Sequence, residues 1–139
     1  MTFTDANQNP NLGVDESANP DAALDIYQEE RPWGNFRQFT KNAPSTVKII
    51  TVNPGESLSL QSHMHRAEFW RILKGECKVE IGNKSHDAVV GDEFLVPAAT
   101  THRVSVDSSE TSPAEFLEIA TGEFDENDIE RFEDKYGRA

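Results

Sequence analysis

From residue 35 to residue 121 the chain is written almost entirely in short, largely apolar, strand-sized runs separated by Gly, Pro, Asn and Asp, and some of these runs divide their residues between two faces with a period of two. Residues 46–52 set Val47, Ile49 and Thr51 on one face and Lys48, Ile50 and Val52 on the other. Asn53-Pro54-Gly55 then turns the chain, because Pro fixes one dihedral and Gly frees another. The same pattern predicts strands over 58–65, 69–73, 77–81, 88–90, 93–96, 102–106 and 116–119. Lys74-Gly75-Glu76 and Gly82-Asn83-Lys84 supply tight turns between them. About nine short strands with closely spaced turns predict an all-β sandwich or small barrel. No helical stretch separates these strands, which excludes a parallel α/β architecture.

The two ends read differently. Residues 1–24 are rich in Asn, Asp, Pro, Ala and Ser without apolar periodicity and are expected to form a flexible acidic tail. The folded domain is expected over 25–139, with order starting near Tyr27. Arg31-Pro32-Trp33-Gly34 reads as a turn with Trp33 as a large anchor beside it. Near the C-terminus Ile129 and Phe132 stand at helical spacing behind a group of acids, which predicts a short helix from about 126 to 134. No internal repeat and no nucleotide-binding glycine loop is present in the sequence.

The net charge of −12 over 139 residues makes nucleic acid and anionic membranes poor partners. The acids gather at the ends, so the middle does not by itself repel an anionic ligand. Cys77, the single cysteine, excludes an internal disulfide and fits a reducing compartment. Its place inside a strand-like run suits a small buried hydrophobe. With no basic leader and no apolar run of membrane-spanning length, the expected location is the cytoplasm.

Three of the four histidines fall in two short segments. In a strand, Gln61, His63 and His65 point to one face, and Glu68 follows as the next strand begins. Two imidazoles and a carboxylate, with His102 as a fourth ligand, make a divalent metal site with mixed N/O donors. Such a set fits zinc, and also manganese, iron, cobalt or nickel.

Gly55, His63-x-His65, Glu68 and Gly75 resemble the first cupin motif; Gly91-x5-Pro97-x-Ala99-x2-His102 resembles the second. Ala99 stands where the second motif usually has Gly, and only two residues separate His65 from Glu68. Within the cupins, Leu58-Ser59-Leu60-Gln61-x-His63-x-His65-Arg66-Ala67-Glu68-x-Trp70 is similar to the cupin domain of type II mannose-6-phosphate isomerases. That domain often follows a mannose-1-phosphate guanylyltransferase. Arg31-Pro32-Trp33-Gly34 and the ending from Asp128-Ile129 to Tyr136-Gly137-Arg138 match the same family. The resemblance implies a single jelly-roll barrel and metal-assisted proton transfer between C1 and C2, interconverting mannose 6-phosphate and fructose 6-phosphate.

His63, His65, Glu68 and His102 would hold one metal ion, with zinc the first choice. Gln61-x-His63 also reproduces the Gln-x-His pair of the type I enzymes, so Gln61 and His65 are alternatives for one ligand position. Lys48, Arg66, Arg131 and Arg138 are the available cations for the sugar phosphate, with Tyr136 beside Arg138. Arg138, Arg131 and Gln61 are the expected catalytic residues. Two other readings stand beside this one, a non-catalytic sugar-phosphate-binding or regulatory cupin and a metal-dependent dioxygenase. A homodimer is expected, the N-terminal tail being free to cross to a neighbour.

Overall fold

The computed structural model describes residues 24–138, which form eleven strands. β1 (Tyr27–Arg31) and β2 (Gly34–Gln38) make a hairpin across the two-residue turn Pro32-Trp33. Four strands build one sheet in the order β3 (Ser45–Val52), β10 (Ala114–Gly122), β5 (Arg66–Lys74) and β8 (Glu93–Val96). The second sheet runs β11 (Glu130–Glu133), β4 (Leu60–Ser62), β9 (His102–Ser105), β6 (Cys77–Ile81) and β7 (Lys84–Ala88). Every pairing is antiparallel.

The core lies between the two sheets. Val52, Trp70, Ile72, Phe94, Val96 and Phe116 from the first meet Cys77, Val79, Ile81 and Val104 from the second. β5 is buried on both faces, which explains its nearly continuous apolar text. Trp70 and Ile72 face the core, while Phe69 on the other side is covered by Phe39, ring centroids 4.6 Å apart. Arg37 adds a two-pronged pair to Glu93, at 2.8 and 2.7 Å, and so clamps β2 to the outside of the four-stranded sheet.

Cys77 is buried, and burial together with the nearby Asp92 pushes its thiol up to about 11, as an inert core residue requires. The turn at Gly75 has φ +73°, and an added Cβ would come within 2.4 Å of the Pro113 carbonyl oxygen. Only glycine fits there.

Four local expectations change. The strand expected over 58–65 is three residues long, because Ser57 already pairs with Ser105 as an isolated bridge and the chain turns after Ser62. The strand expected at 88–90 lies earlier, as β7. The Gly82-Asn83 turn sets Ile81 opposite Lys84, and Val89 and Val90 are exposed in the next turn. Trp33 is 72% exposed at the hairpin tip, so it is not buried as the anchor the sequence led one to expect.

The expected C-terminal helix is absent: 130–133 is strand β11, and no helix occurs among the described residues. The open edge of β4 supplies backbone partners that a short isolated helix lacks. Among the described residues, therefore, no helix is long and apolar enough to cross a membrane. The tail expected over 1–24 lies almost wholly outside the described residues.

Candidate metal centre

One strand end and two strand starts converge at one end of the barrel. β4 stops at Ser62, just before His63; β9 begins at His102, directly across from Gln61; β5 carries Glu68, in register with Val96 and Ala120. His63, Glu68 and His102 are buried, and one ligand atom of each lies within 4.8 Å of the others.

Backbone carbonyls fix the tautomer of both imidazoles. His63 Nδ1 is 2.6 Å from the Asp128 carbonyl oxygen, and His102 Nδ1 is 3.0 Å from that of Thr100. A carbonyl only accepts, so each Nδ1 carries the proton and each Nε2 keeps a lone pair. Both lone pairs face Glu68, with His63 Nε2 3.6 Å from Oε2 and His102 Nε2 3.9 Å from Oε1. Trp70 Nε1 donates to Glu68 Oε1 at 2.9 Å and holds the carboxylate in place.

Burial keeps the imidazoles neutral. It lowers His63 to about 3, with His102 adding to the effect, and lowers His102 to about 4. Neutral imidazole is the form that binds a metal.

A divalent ion fits this donor set of two imidazole nitrogens and a carboxylate. Arg66 supports the fit from within the chain. Its Nη2 donates to His63 Nε2 at 2.9 Å, and its Nε lies 3.5 Å from Glu68 Oε2. Nε and Nη1 are buried without a hydrogen-bond partner, so a cation is drawn here although its own donors are not fully used.

His65 does not join the centre. The period-two reading fails because the chain bends at Met64 and His65, whose backbone N–H groups both donate to the Asp128 carboxylate at 2.9 Å. The bend leaves His65 exposed. Gln61, the alternative, stands on β4 directly opposite His102 on β9 and shares its face. Arg131 is opposite Gln61 on β11, so the row Arg131, Gln61, His102 crosses three strands on one face.

Lys48 lies 4.5 Å and the Arg66 guanidinium 4.3 Å from the centroid of the Phe124 ring, which gathers both cations.

Arg138 and Tyr136 lie elsewhere. β11 runs antiparallel to β4, so the chain beyond it travels away from His63 toward Gly55 and Glu56. Lys135 Nζ donates to the Gly55 carbonyl at 2.6 Å, and the Tyr136 hydroxyl donates to Glu56. Gly55 bonds Val106, beyond the end of β9 opposite to His102. The Arg138 guanidinium is engaged by Asp134, at 2.9 Å through Nε. The charge pattern hid this, because it does not show which way a terminal segment runs.

Sequence reasoning missed Glu118, Phe124 and Asp128. Glu118 is buried on β10, opposite Trp70 and Lys48, and hydrogen-bonds Glu68. Burial, then the charge of Glu68, pushes its carboxyl up to about 8. A signal existed: Glu118 alternates in phase with Phe116, so a charge stands at an inward position. Ala99 carries φ +59°, where the cupin motif usually has Gly, and its N–H meets the His63 carbonyl at 2.6 Å. Such a conformation costs about 1–2 kcal/mol for a residue with a Cβ.

A closed antiparallel double sheet with a His/Glu/His centre at one end defines a cupin. Solved structures of this fold include a double-stranded β-helix protein from Klebsiella pneumoniae, with TM-score 0.56 at 20% identity over 68% of this chain and 78% of that one. Another is a sugar phosphate isomerase of the cupin superfamily from Silicibacter pomeroyi, with TM-score 0.52 at 23% identity over 67% and 69% of the two chains. At this identity the likeness concerns fold alone.

The chain belongs to the family described as mannose-6-phosphate isomerase C-terminal, whose model matches residues 19–134. It is 39% identical over 116 residues to the alginate biosynthesis protein AlgA of Pseudomonas putida, covering 83% of this chain and 23% of that protein. It is 36% identical over 109 residues to the mannose-1-phosphate guanylyltransferase ManC of Salmonella typhimurium, covering 78% and 22%. The chain thus spans less than a quarter of the length of these curated relatives.

Proposed function

We propose that the chain is a cytoplasmic mannose-6-phosphate isomerase that converts mannose 6-phosphate to fructose 6-phosphate and back with one divalent metal. The observation that carries this reading is the meeting, at one end of the barrel, of the His63/Glu68/His102 cluster with Arg66, which touches both His63 and Glu68. Family membership supports it. His63, Glu68 and His102 would hold the metal, zinc first, with manganese, iron, cobalt or nickel compatible with the same donors. When bound, the metal supplies Lewis-acid stabilisation of charge on the sugar oxygens as a proton moves between C1 and C2.

Arg66 and Lys48, both resting on Phe124, bind and orient the phosphate, a task for which a protein of net charge −12 needs local cations. Gln61 and Arg131, in the row that leads to His102, hydrogen-bond the sugar hydroxyls and hold the carbon chain against the centre. The free, buried Cys77 accords with a reducing cytoplasm. The same reading includes a homodimer, supported by the exposed apolar Val47 and Ile49 on the edge strand β3.

A coupled assay of mannose 6-phosphate conversion, with and without chelator, tests the reaction. Turnover should vanish with chelator and return with added metal. Arg66→Met should lower kcat/KM about 30- to 150-fold, equivalent to about 2–3 kcal/mol for a lost charged hydrogen bond. Arg138→Ala should leave it unchanged. One competing reading is a sugar-phosphate-binding module without catalysis, since a fold by itself does not decide activity. Tight binding of mannose 6-phosphate without turnover at any metal would establish that module instead, and substrate-dependent oxygen uptake would establish a dioxygenase.

A further inference from the structure

The two histidines of the centre are held in different ways. His102 is held by Thr100, two residues back on its own segment. His63 is held by Asp128, which is 65 residues away in sequence and reaches the centre only because the C-terminal segment crosses beside β4. Asp128 acts there with both its backbone and its side chain. Its carbonyl oxygen accepts from His63 Nδ1 at 2.6 Å, and its two carboxylate oxygens accept from the N–H groups of Met64 and His65 at 2.9 Å each.

We propose that Asp128 is a positioning residue for the metal centre, setting both the ring orientation of His63 and the turn that keeps His65 out. The carbonyl bond places the proton on Nδ1 and aims Nε2 at Glu68. The carboxylate closes the turn immediately after His63, capping two N–H groups that would otherwise continue β4 and carry His65 onward with the strand. Behind it, Glu130 pairs with Ser62 and Arg131 with Gln61, so the segment presenting Asp128 is registered on the strand that presents His63. A loose terminal tail would not hold an imidazole to one plane, whereas a segment paired to the ligand's own strand does. This inference rests on the metal reading of the centre and not on the isomerase reaction.

Cobalt(II) alone is the probe, because its visible d–d bands report ligand geometry as well as occupancy. Titrations are compared for wild type, Asp128→Ala, Asp128→Asn and the control Asp125→Ala, whose carboxylate caps Asn127 in the same segment without touching His63. Asp128→Ala should weaken cobalt binding about 10- to 100-fold and alter the bands of the loaded protein. Asp128→Asn, whose amide oxygen still accepts one of the two N–H groups, should fall in between, and Asp125→Ala should match wild type.

A role confined to folding would lower the melting temperature and leave affinity and bands unchanged. That outcome for Asp128→Ala overturns the inference. If Asp128→Ala does not fold, Asp128→Asn decides on the same readout: weaker binding with altered bands supports the inference, and wild-type binding and bands overturn it. A wild-type protein that takes up no cobalt overturns the metal reading and this inference together. Wild-type binding with no isomerase turnover leaves the inference standing and removes only the reaction.

Discussion

Which nitrogen of His63 or His102 faces Glu68 is decided by what the other nitrogen donates to. Two carbonyl oxygens, from Asp128 and Thr100, take the Nδ1 protons and leave both Nε2 atoms directed inward. His65, two residues from His63, meets neither condition: its backbone is held by Asp128 and its ring is exposed. The two substitutions should therefore part. His102→Ala should lose stoichiometric metal after dialysis, whereas His65→Ala should keep it, as read by elemental analysis. Equal metal loss in both variants would contradict the three-residue centre and restore His65 to it. Period-two counting treats His63 and His65 as equivalent. The difference lies in a contact with a residue more than sixty positions later, which no local count can contain.

Among the elements, β5 and β8 do most to join the hairpin to the barrel. Glu93 on β8 is buried and receives Arg37 from β2 and Arg71 from β5, with Arg71 Nη1 at 2.7 Å. Burial works against ionisation of Glu93, but its bonds to Arg37 and Arg71 outweigh that and hold its carboxyl below the usual range. A carboxyl depressed in the folded state adds stability above its unfolded pKa, and that stability is lost as pH falls through the lowered value. Glu93→Gln should therefore cost about 3 kcal/mol at neutral pH, because two guanidinium groups lose their carboxylate. It should also flatten the fall in wild-type stability below about pH 4.5. Denaturant unfolding of both proteins at pH 7 and through that window checks this; parallel pH profiles would show that Glu93 does not govern the acid limb. The C-terminal segment teaches a related lesson. Its acids and its Ile129/Phe132 spacing favour a helix, yet pairing with the edge of β4 made it a strand.

At the scale of the whole molecule, the strong negative charge and the cation-lined end of the barrel stand in contrast. Under the proposed function, long-range repulsion of a sugar phosphate would be offset only locally, so its affinity should depend on Arg66 and Lys48. Outside the barrel, Val47 and Ile49 are 61% and 62% exposed, neighbouring Ile119 and Leu117 across β10 on the same face. A second copy packed against this face would cover them. Light scattering at high micromolar concentration should give a dimer mass, and Val47→Lys combined with Ile49→Lys should shift it toward monomer. A monomer mass for wild type would remove the dimer from the proposal.

By itself the sequence determined the strands at 77–81 and 93–96 to the residue, because each is a short run bounded by turn residues whose effect is local. It also offered His63, His65, Glu68 and His102 as metal-ligating candidates, with Gln61 as an alternative to His65, and gave the all-β class through short strand-sized runs between turn residues. Tertiary structure decided the rest. It made β4 end at Ser62 and turned His65 outward, since the acceptor for that turn is Asp128. It set the exposed Lys48 directly across from the buried Glu118, since strand pairing decides which residues of two distant strands meet. It carried Arg138 away from the centre, since the direction of β11 follows from its antiparallel pairing with β4. In each case the deciding partner lies far along the chain, and a hydrogen bond or pairing across that distance exists only once the barrel has closed.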